Sequence, residues 1–314
     1  MSDRCKGMFF GLIATIFWAS FYPVGRVLFG IDAKAAEPLN FTFLRFCFAA
    51  VFFTPLLLKR SNRTAVREMF HWHWKELCFL AVVGIVAEGL LVFWALKYTT
   101  SARASLLANA SPISTVLISY FCGRELITGN KIVGMLIGFV GIVLAFFGKG
   151  SDLFSAGMQI WIGDLMAFVS GICWAAYTVF GTEISRRYGG MLGNGVLFFL
   201  GALLMIPVVH WTVGFDLRLS WRVWFGAFYL GALANGLANG LWYTAMKYVT
   251  PGELSSCGYI SALLTFAIAV VFLGEKASWQ FVLAIVLVLT GVMLMLSRKS
   301  IFILRKRNRK TPVV

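Results

Sequence analysis

The chain has 314 residues, of which 60% are hydrophobic and 13% are charged, and its formal net charge is +15. Soluble domains of ordinary composition have about 25% charged residues, so this chain has too little polar surface to stay folded in water as a globule. Its positive charges lie between apolar stretches rather than on one basic face, which argues against a nucleic-acid-binding protein.

Ten apolar stretches of roughly 20 residues follow one another, about the length with which an α-helix crosses a 30 Å hydrocarbon layer. We number them spans 1 to 10, at about residues 7–30, 39–58, 77–96, 104–123, 131–148, 160–182, 191–213, 223–246, 254–274 and 278–297. The runs are continuous, unlike the short alternating strands of a membrane β-barrel. The first run is too long for a signal-peptide core, and no cleavage site follows it. The sequence therefore predicts an all-α membrane protein with ten transmembrane helices.

The distribution of lysine and arginine predicts the orientation. An even number of spans leaves both termini on one side of the membrane, and if that side is the cytoplasm, 19 basic residues are cytoplasmic and 8 are external. This bias fits the positive-inside rule and predicts a multi-pass protein of the cell inner membrane with cytoplasmic termini. We expect the basic tail, 298–314, to meet anionic lipid headgroups. The six cysteines stand singly without metal-ligand spacing, so we expect no metal and no other cofactor.

A polar passage occurs twice in the chain. Residues 95–112 read ALKYTTSARASLLANASP and residues 245–262 read AMKYVTPGELSSCGYISA, at an offset of 150. Further matches join Trp18 to Trp174, Pro55 to Pro207 and Glu125 to Glu275. We interpret 1–150 and 151–297 as two copies of a five-span unit. Because five is odd, the second copy must be inserted upside down, and inverted repeats are an architecture of secondary transporters that bind solute near the midplane.

These motifs resemble the EamA-like ten-helix members of the drug/metabolite transporter superfamily. The resemblance rests on the tryptophan stretches of spans 1 and 6, LRFCFAA in span 2, ASLLANASPI in span 4, and the similar ends of spans 4 and 9 and of spans 5 and 10. It implies transport of small molecules, usually export of amino acids or other metabolites, through a cavity lined by spans 1, 3, 4, 6, 8 and 9. The second half departs from the pattern, since Leu197 stands at the counterpart of Arg45 and Ala262 at that of Pro112.

Two charges lie deep within spans, where a charge is costly and invites a functional hypothesis. Arg45 lies about 9 Å from the outer end of span 2 and Glu88 about 12 Å from the outer end of span 3, at 1.5 Å per residue. Because the spans are adjacent, we predict an ion pair or a shared polar network between them. Either the pair is a fixed structural element, or Glu88 contacts substrate or couples transport to protons.

The predicted substrate-binding residues are amides, acids and aromatic side chains within or near the ends of spans. They are Trp18, Tyr22, Glu88, Tyr98, Asn109, Trp174, Tyr177, Asn235, Asn239, Tyr243 and Tyr259. An unpaired amide in lipid costs several kcal/mol, which favours a functional role for Asn109. Asn235 and Asn239 are four residues apart and share a helix face. Core packing is the alternative for the two repeat-related tryptophans, and Trp242 is expected at the membrane interface.

A second group is predicted to be structural or to act in gating. It comprises Arg45, Pro112, Glu125 and Glu275. Pro112 removes a backbone hydrogen bond and loosens span 4. The two glutamates close spans 4 and 9, where a carboxylate is unfavourable beside the helix dipole and needs a basic neighbour such as Arg124. Gly134 and Gly138 form a GxxxG motif that indicates close helix packing.

The sequence thus favours a secondary transporter of small neutral or zwitterionic metabolites, with amino-acid export first. Proton-coupled efflux of hydrophobic drugs, or uptake of a nucleoside-like or vitamin-like solute, remains an alternative. An intramembrane enzyme would need paired aspartates, an HExxH motif or a Ser/His pair at depth, and the chain has none of these. A channel or receptor would give the duplicated odd-span unit no evident purpose.

Overall fold

The computed structural model describes residues 2–31, 37–99, 104, 107–147, 158–216, 218–273, 279–297 and 303–304. Helices occupy the ten predicted spans. In the first half they are Asp3–Ala19 with Phe21–Ile31, Pro38–Leu58, the three segments Trp74–Phe79, Leu80–Ala87 and Glu88–Tyr98, then Ser111–Phe121 and Gly129–Phe147. In the second half they are Met158–Tyr188, Gly190–Thr212, the three segments Trp221–Phe228, Tyr229–Leu237 and Ala238–Ala245, then Pro251–Ser255 with Cys257–Leu273, and Trp279–Leu296. The fold is the predicted one of ten helical spans in two repeats.

Many large apolar side chains face outward, among them Phe9, Ile16 and Val51. Such a surface is unfavourable in water and suits a hydrocarbon environment. Five helices of the described chain are long and apolar enough to cross a membrane, and three shorter apolar helices accompany them.

Contacts between the helices repeat with the two halves exchanged. Span 3 packs on span 6 as span 8 packs on span 1, and span 4 packs on span 6 as span 9 packs on span 1. Span 7 contacts the middle of span 3 as span 2 contacts the middle of span 8, while spans 2 and 7 and spans 5 and 10 pair with their own counterparts. Each half therefore completes its core with helices of the other, and the principal core comprises residues from seven of the spans.

A helix and a short strand pair lie outside the main helices of the spans. The helix Arg63–Trp72 joins spans 2 and 3, with Met69 buried and Trp72 exposed, a distribution that suits a helix lying along a membrane surface. The strand Ile127–Thr128 pairs antiparallel with Ile303–Leu304, joining the start of span 5 to the tail.

Candidate functional site

The centres of spans 3 and 8 are wound as π-helices. The segments Leu80–Ala87 and Tyr229–Leu237 occupy corresponding positions of the two repeats. A π-helical turn is wider than an α-turn and is frequent at functional sites. Glu88 directly follows the first segment, and Asn235 lies in the second. The repeat therefore places two irregular, polar helix centres against the same region.

Spans 4 and 9 are interrupted near this region. Asn109 and Ala110 form a turn, after which the helix Ser111–Phe121 begins with Pro112 in its first turn. Ser256 similarly separates the helix Pro251–Ser255 from Cys257–Leu273. The interruption of span 4 therefore lies directly before Pro112, the residue predicted to loosen this span. Interrupted helices of this kind expose backbone polar groups to a cavity between repeats.

A cavity of about 130 Å³ lies among these helix centres. Its size is close to the roughly 150 Å³ of an engineered cavity that binds benzene. Its charged and amide side chains are Arg45, Glu88, Asn109, Asn235 and Asn239, and its aromatic side chains are Trp18, Phe21, Phe46, Trp174, Phe198 and Trp242. Ser111, Ser170, Ser255 and Ser261 supply hydroxyl groups. The cavity thus joins an apolar aromatic wall to a few polar groups, as small-molecule sites do.

Arg45 and Glu88, predicted to form an ion pair or a shared polar network, both line the cavity. Their charges interact electrostatically, but among the described residues no Arg45 nitrogen lies within 4.0 Å of a Glu88 oxygen. The guanidinium lies instead over aromatic rings, 4.3 Å from the centroid of Phe93 and 4.8 Å from that of Phe21. Its Nε and one terminal nitrogen have no hydrogen-bond partner. The direct ion pair is therefore absent from the described contacts, because the arginine packs against phenylalanine rings.

The amides of span 8 have unused hydrogen-bonding capacity. Asn235 and Asn239 are more than nine-tenths buried, and both line the cavity. Nδ2 of Asn235 and Oδ1 of Asn239 have no partner in the described structure. Since an unsatisfied buried polar atom costs about 1–3 kcal/mol, these two atoms are natural contacts for a polar solute. Asn109 lines the same cavity from the turn in span 4.

Three indole rings meet at the cavity wall. Ring centroids of Trp18 and Trp174 are 4.9 Å apart, those of Trp18 and Trp242 also 4.9 Å, and those of Trp174 and Trp242 5.8 Å. Trp18 Nε1 donates to the carbonyl of Ala234, within the second π-helix, over 2.9 Å. Trp242 is only 1% exposed, so its expected position at the membrane interface is wrong, because its ring packs against Trp18 and Trp174 inside the bundle.

Repeat symmetry identifies aromatic residues that the sequence interpretation missed. Phe46 and Phe198 stand 152 positions apart, the same offset that relates Pro55 to Pro207. Their rings meet at 5.8 Å across the cavity. Like Trp18 and Trp174, they are repeat counterparts in contact. The offset itself was the signal that could have found them.

Several predicted residues lie away from the cavity. Tyr98 is at the end of span 3 and is 38% exposed. Tyr177 and Tyr243 are buried beside each other, where Tyr177 donates to Asn194 and Tyr243 donates to the carbonyl of Tyr177 over 3.3 Å. Tyr259 is buried against span 5 and donates to the carbonyl of Met135 over 3.1 Å.

Pro112 is buried but is not among the lining residues, although its neighbour Ser111 is. The side chain of Tyr22 and the whole of Glu275 lie outside the described residues.

Polar contacts join the two repeats at the end of the bundle that holds the N-terminus. The buried carboxylate of Glu125 accepts from Thr250 Oγ1 over 2.8 Å and from the N–H of Gly252 over 2.9 Å. Lys131 forms an ion pair with it. Arg124, the expected partner, donates instead to the carbonyl of Val179.

A second ion pair lies at the same end of the bundle. Arg4, at the start of span 1, lies 2.7 Å from the carboxylate of Glu253. It also donates to the carbonyl of Leu296 over 2.5 Å. Glu253 belongs to a capping box with Thr250, so the Arg4–Glu253 ion pair and the hydrogen bonds of Glu125 hold the same turn at the start of span 9.

Comparison with known proteins matches the chain to the EamA-like transporter family over residues 5–147 and 161–297, one stretch per repeat. A protein of Archaeoglobus fulgidus named an uncharacterized transporter is 28% identical, with 90% of this chain and 94% of that protein covered. One of Clostridium kluyveri with the same name is 25% identical, with 91% of each covered. The S-adenosylmethionine/S-adenosylhomocysteine transporter of Chlamydia muridarum is 30% identical over 46% of this chain and 44% of its own. One crystal structure superposes with a TM-score of 0.76 at 21% identity, covering 93% of this chain and 96% of that one, and supports the fold.

Proposed function

The chain belongs to the EamA-like transporter family and is a membrane transporter rather than an enzyme; we propose that it carries small zwitterionic or neutral metabolites by alternating access. The observation that carries the proposal is the central cavity, where Arg45 and Glu88 face one small space without a direct ion pair. Amino acids and related compounds have the size and the two opposite charges that such a site suits.

The balance of charge supports this class of solute. One cationic and one anionic side chain line the described cavity, so a polyanion or polycation would leave several charges uncompensated at low dielectric. A zwitterion adds no net charge, so the cavity stays electrically balanced when such a solute occupies it. The volume of about 130 Å³ favours a body of about one ring or one branched aliphatic group.

Alternating access follows from the arrangement of the repeats. We propose that the halves 1–150 and 151–297 rock against one another, and that the contacts of Glu125 and Arg4 with the start of span 9 break when the cavity opens at that end. Each half contributes helices to the other's core, which favours rigid-body motion of bundles over local unfolding. We further propose that the protein lies in the cell inner membrane with cytoplasmic termini, its basic tail against anionic lipids.

A second candidate solute is S-adenosylmethionine, because a relative that matches 46% of this chain is named for its transport. It also carries an amino-acid group, which the polar part of the cavity could bind. It ranks second because it is much larger than the roughly benzene-sized body that a 130 Å³ cavity suits.

Uptake into proteoliposomes tests the proposal. Purified full-length protein is given labelled amino acids, a nucleoside, an organic drug and S-adenosylmethionine, each with and without a proton gradient. We expect saturable movement of at least one small amino acid, reduced at least tenfold when Asn235 and Asn239 are both replaced by alanine. Thr290→Ala, at an exposed position of span 10, is the matched control and should keep wild-type transport. Transport of the drug or nucleoside alone would contradict the zwitterion proposal.

A further inference from the structure

Glu88 is the cavity charge that a solute can reach. Its side chain is half-buried and lines the cavity. None of the described hydrogen bonds or ion pairs involves its carboxylate, although other buried acids of the protein are paired: Glu125 with Lys131, and Asp164 with Thr99. A carboxylate without a hydrogen-bond partner retains its capacity to accept hydrogen bonds from a solute.

Arg45 is held back in the cavity wall. It is only 1% exposed, and four phenylalanine rings lie within 5.8 Å of its guanidinium carbon. Cation–π contacts of this kind stabilise a desolvated guanidinium. Two of these rings, Phe21 and Phe46, line the cavity beside it. The two cavity charges therefore differ in accessibility.

The aromatic wall also favours a cation. Trp18, Trp174 and Trp242 line the cavity and contact one another. The faces of indole rings attract positive charge more strongly than those of other aromatic side chains, and cages of such rings bind ammonium groups. A carboxylate gains no such attraction from a ring face. Oδ1 of Asn239, which has no partner, adds one more acceptor for an N–H donor.

From these three features we propose that the cavity selects its solute by a cationic group, bound between Glu88 and the indole rings of Trp18, Trp174 and Trp242. A carboxylate on the solute is accepted but is not required. The inference rests on the proposed transport function and deepens it, because it extends the substrate class from zwitterions to organic amines and excludes simple carboxylic acids.

Three probes that share one phenyl ring separate the contributions of the two charges. Phenylalanine carries both charged groups, phenethylamine only the ammonium, and 3-phenylpropionate only the carboxylate. Binding to purified full-length protein is measured by scintillation proximity in detergent, so that leakage of the amine through a bilayer plays no part. We expect the dissociation constant of phenethylamine to lie within tenfold of that of phenylalanine. We expect 3-phenylpropionate to bind at least tenfold more weakly than either. Binding of the acid without the amine overturns the inference, even if phenylalanine transport supports the proposed function.

Variants assign the effect to the carboxylate. Glu88→Gln is expected to lower the affinity for phenethylamine at least tenfold, and Glu88→Asp is expected to retain most of the wild-type affinity. Glu183→Gln makes the same chemical change at an exposed position outside the cavity and should leave binding unchanged. Each variant is checked by its unfolding midpoint. Wild-type amine affinity in a folded Glu88→Gln variant overturns the inference. If the wild-type protein transported none of the tested solutes into liposomes, the proposed function itself would be refuted.

Discussion

Replacing Gly291 by alanine is expected to force spans 5 and 10 apart. A Cβ atom on Gly291 would lie 2.5 Å from the carbonyl oxygen of Gly134 and 2.6 Å from the nitrogen of Gly138. Normal contact begins at about 3.4 Å, so the helix axes must separate by nearly an ångström. The atoms met belong to backbone, which cannot rotate away as a side chain can. The GxxxG motif of span 5 therefore faces a glycine of span 10, as its close-packing interpretation requires.

The expected cost is worked from two opposing contributions. Overpacking of a well-packed contact costs typically 1–3 kcal/mol, and alanine regains up to about 1 kcal/mol of helix propensity over glycine. Because the clash is with backbone, we take the upper part of the first range. The net loss in free energy of unfolding is then roughly 2 kcal/mol.

Gly25→Ala provides the matched control. Among the described residues the added Cβ at Gly25 would meet only Phe93 Cε1 at 3.8 Å, an ordinary contact, so this variant should be unchanged or slightly more stable. Both variants are unfolded from mixed micelles by increasing denaturing detergent, with helix content followed by circular dichroism. A Gly291→Ala protein within 0.5 kcal/mol of the wild type, roughly the spread of surface substitutions, would refute the packing argument.

Two further predictions concern the cavity and the end of the bundle that holds the N-terminus. Trp18→Phe removes the N–H that donates to the carbonyl of Ala234, and we expect it to lower the free energy of unfolding by about 1–3 kcal/mol in the same assay. Trp174→Phe removes an indole without a described hydrogen bond and is the volume-matched control. Equal losses in the two variants would show that the hydrogen bond contributes little to stability. Glu125→Gln weakens the contacts between the repeats at the end of the bundle that holds the N-terminus. Cys257 is fully buried, and in a background lacking the other five cysteines we expect it to react several-fold faster with a maleimide in this variant. An unchanged rate would show that Glu125 does not hold the repeats together at this end.

The spans and their twofold recurrence could be predicted because both depend on the order of residues along the chain, namely the lengths of the apolar runs and the repeated motifs. Apolar length fixes where helices cross, and an odd number of spans per repeat fixes the inversion of the second copy. The depths of Arg45 and Glu88 along adjacent helices also indicated that their side chains lie in the same region, and both line one cavity. Depth alone could not predict that Arg45 and Glu88 form no direct ion pair, because the direction of a long side chain depends on the rings packed around it.

Other features of the site depend on tertiary packing and leave no linear signal. A π-helix and an α-helix have similar composition, so Leu80–Ala87 and Tyr229–Leu237 could not be distinguished from regular helix. Trp242 stands near the end of an apolar run, which is typical of an interfacial residue. It is buried because its ring packs against those of Trp18 and Trp174, and its indole N–H donates to Thr178 Oγ1 over 3.2 Å.

The chemistry of the cavity comes from the positions where the two repeats differ. Repeat counterparts that meet, such as Trp18 with Trp174 and Phe46 with Phe198, build a nearly symmetric aromatic wall. A wall of this kind has no preferred direction for a charged solute. Arg45 has a leucine as its counterpart in span 7, so one face alone carries a cation in its wall.

Glu88 breaks the symmetry in the same way, since the alanine at position 238 stands at an offset of 150 from it. Span 8 instead places its amides at the corresponding level. One π-helical span thus ends in a free carboxylate and the other contributes neutral donors and acceptors. A solute with a single positive group has one favourable orientation in such a cavity. In the proposed alternating-access cycle the duplicated scaffold would open at one end and then the other, and the unduplicated charges would keep the solute in the same orientation throughout.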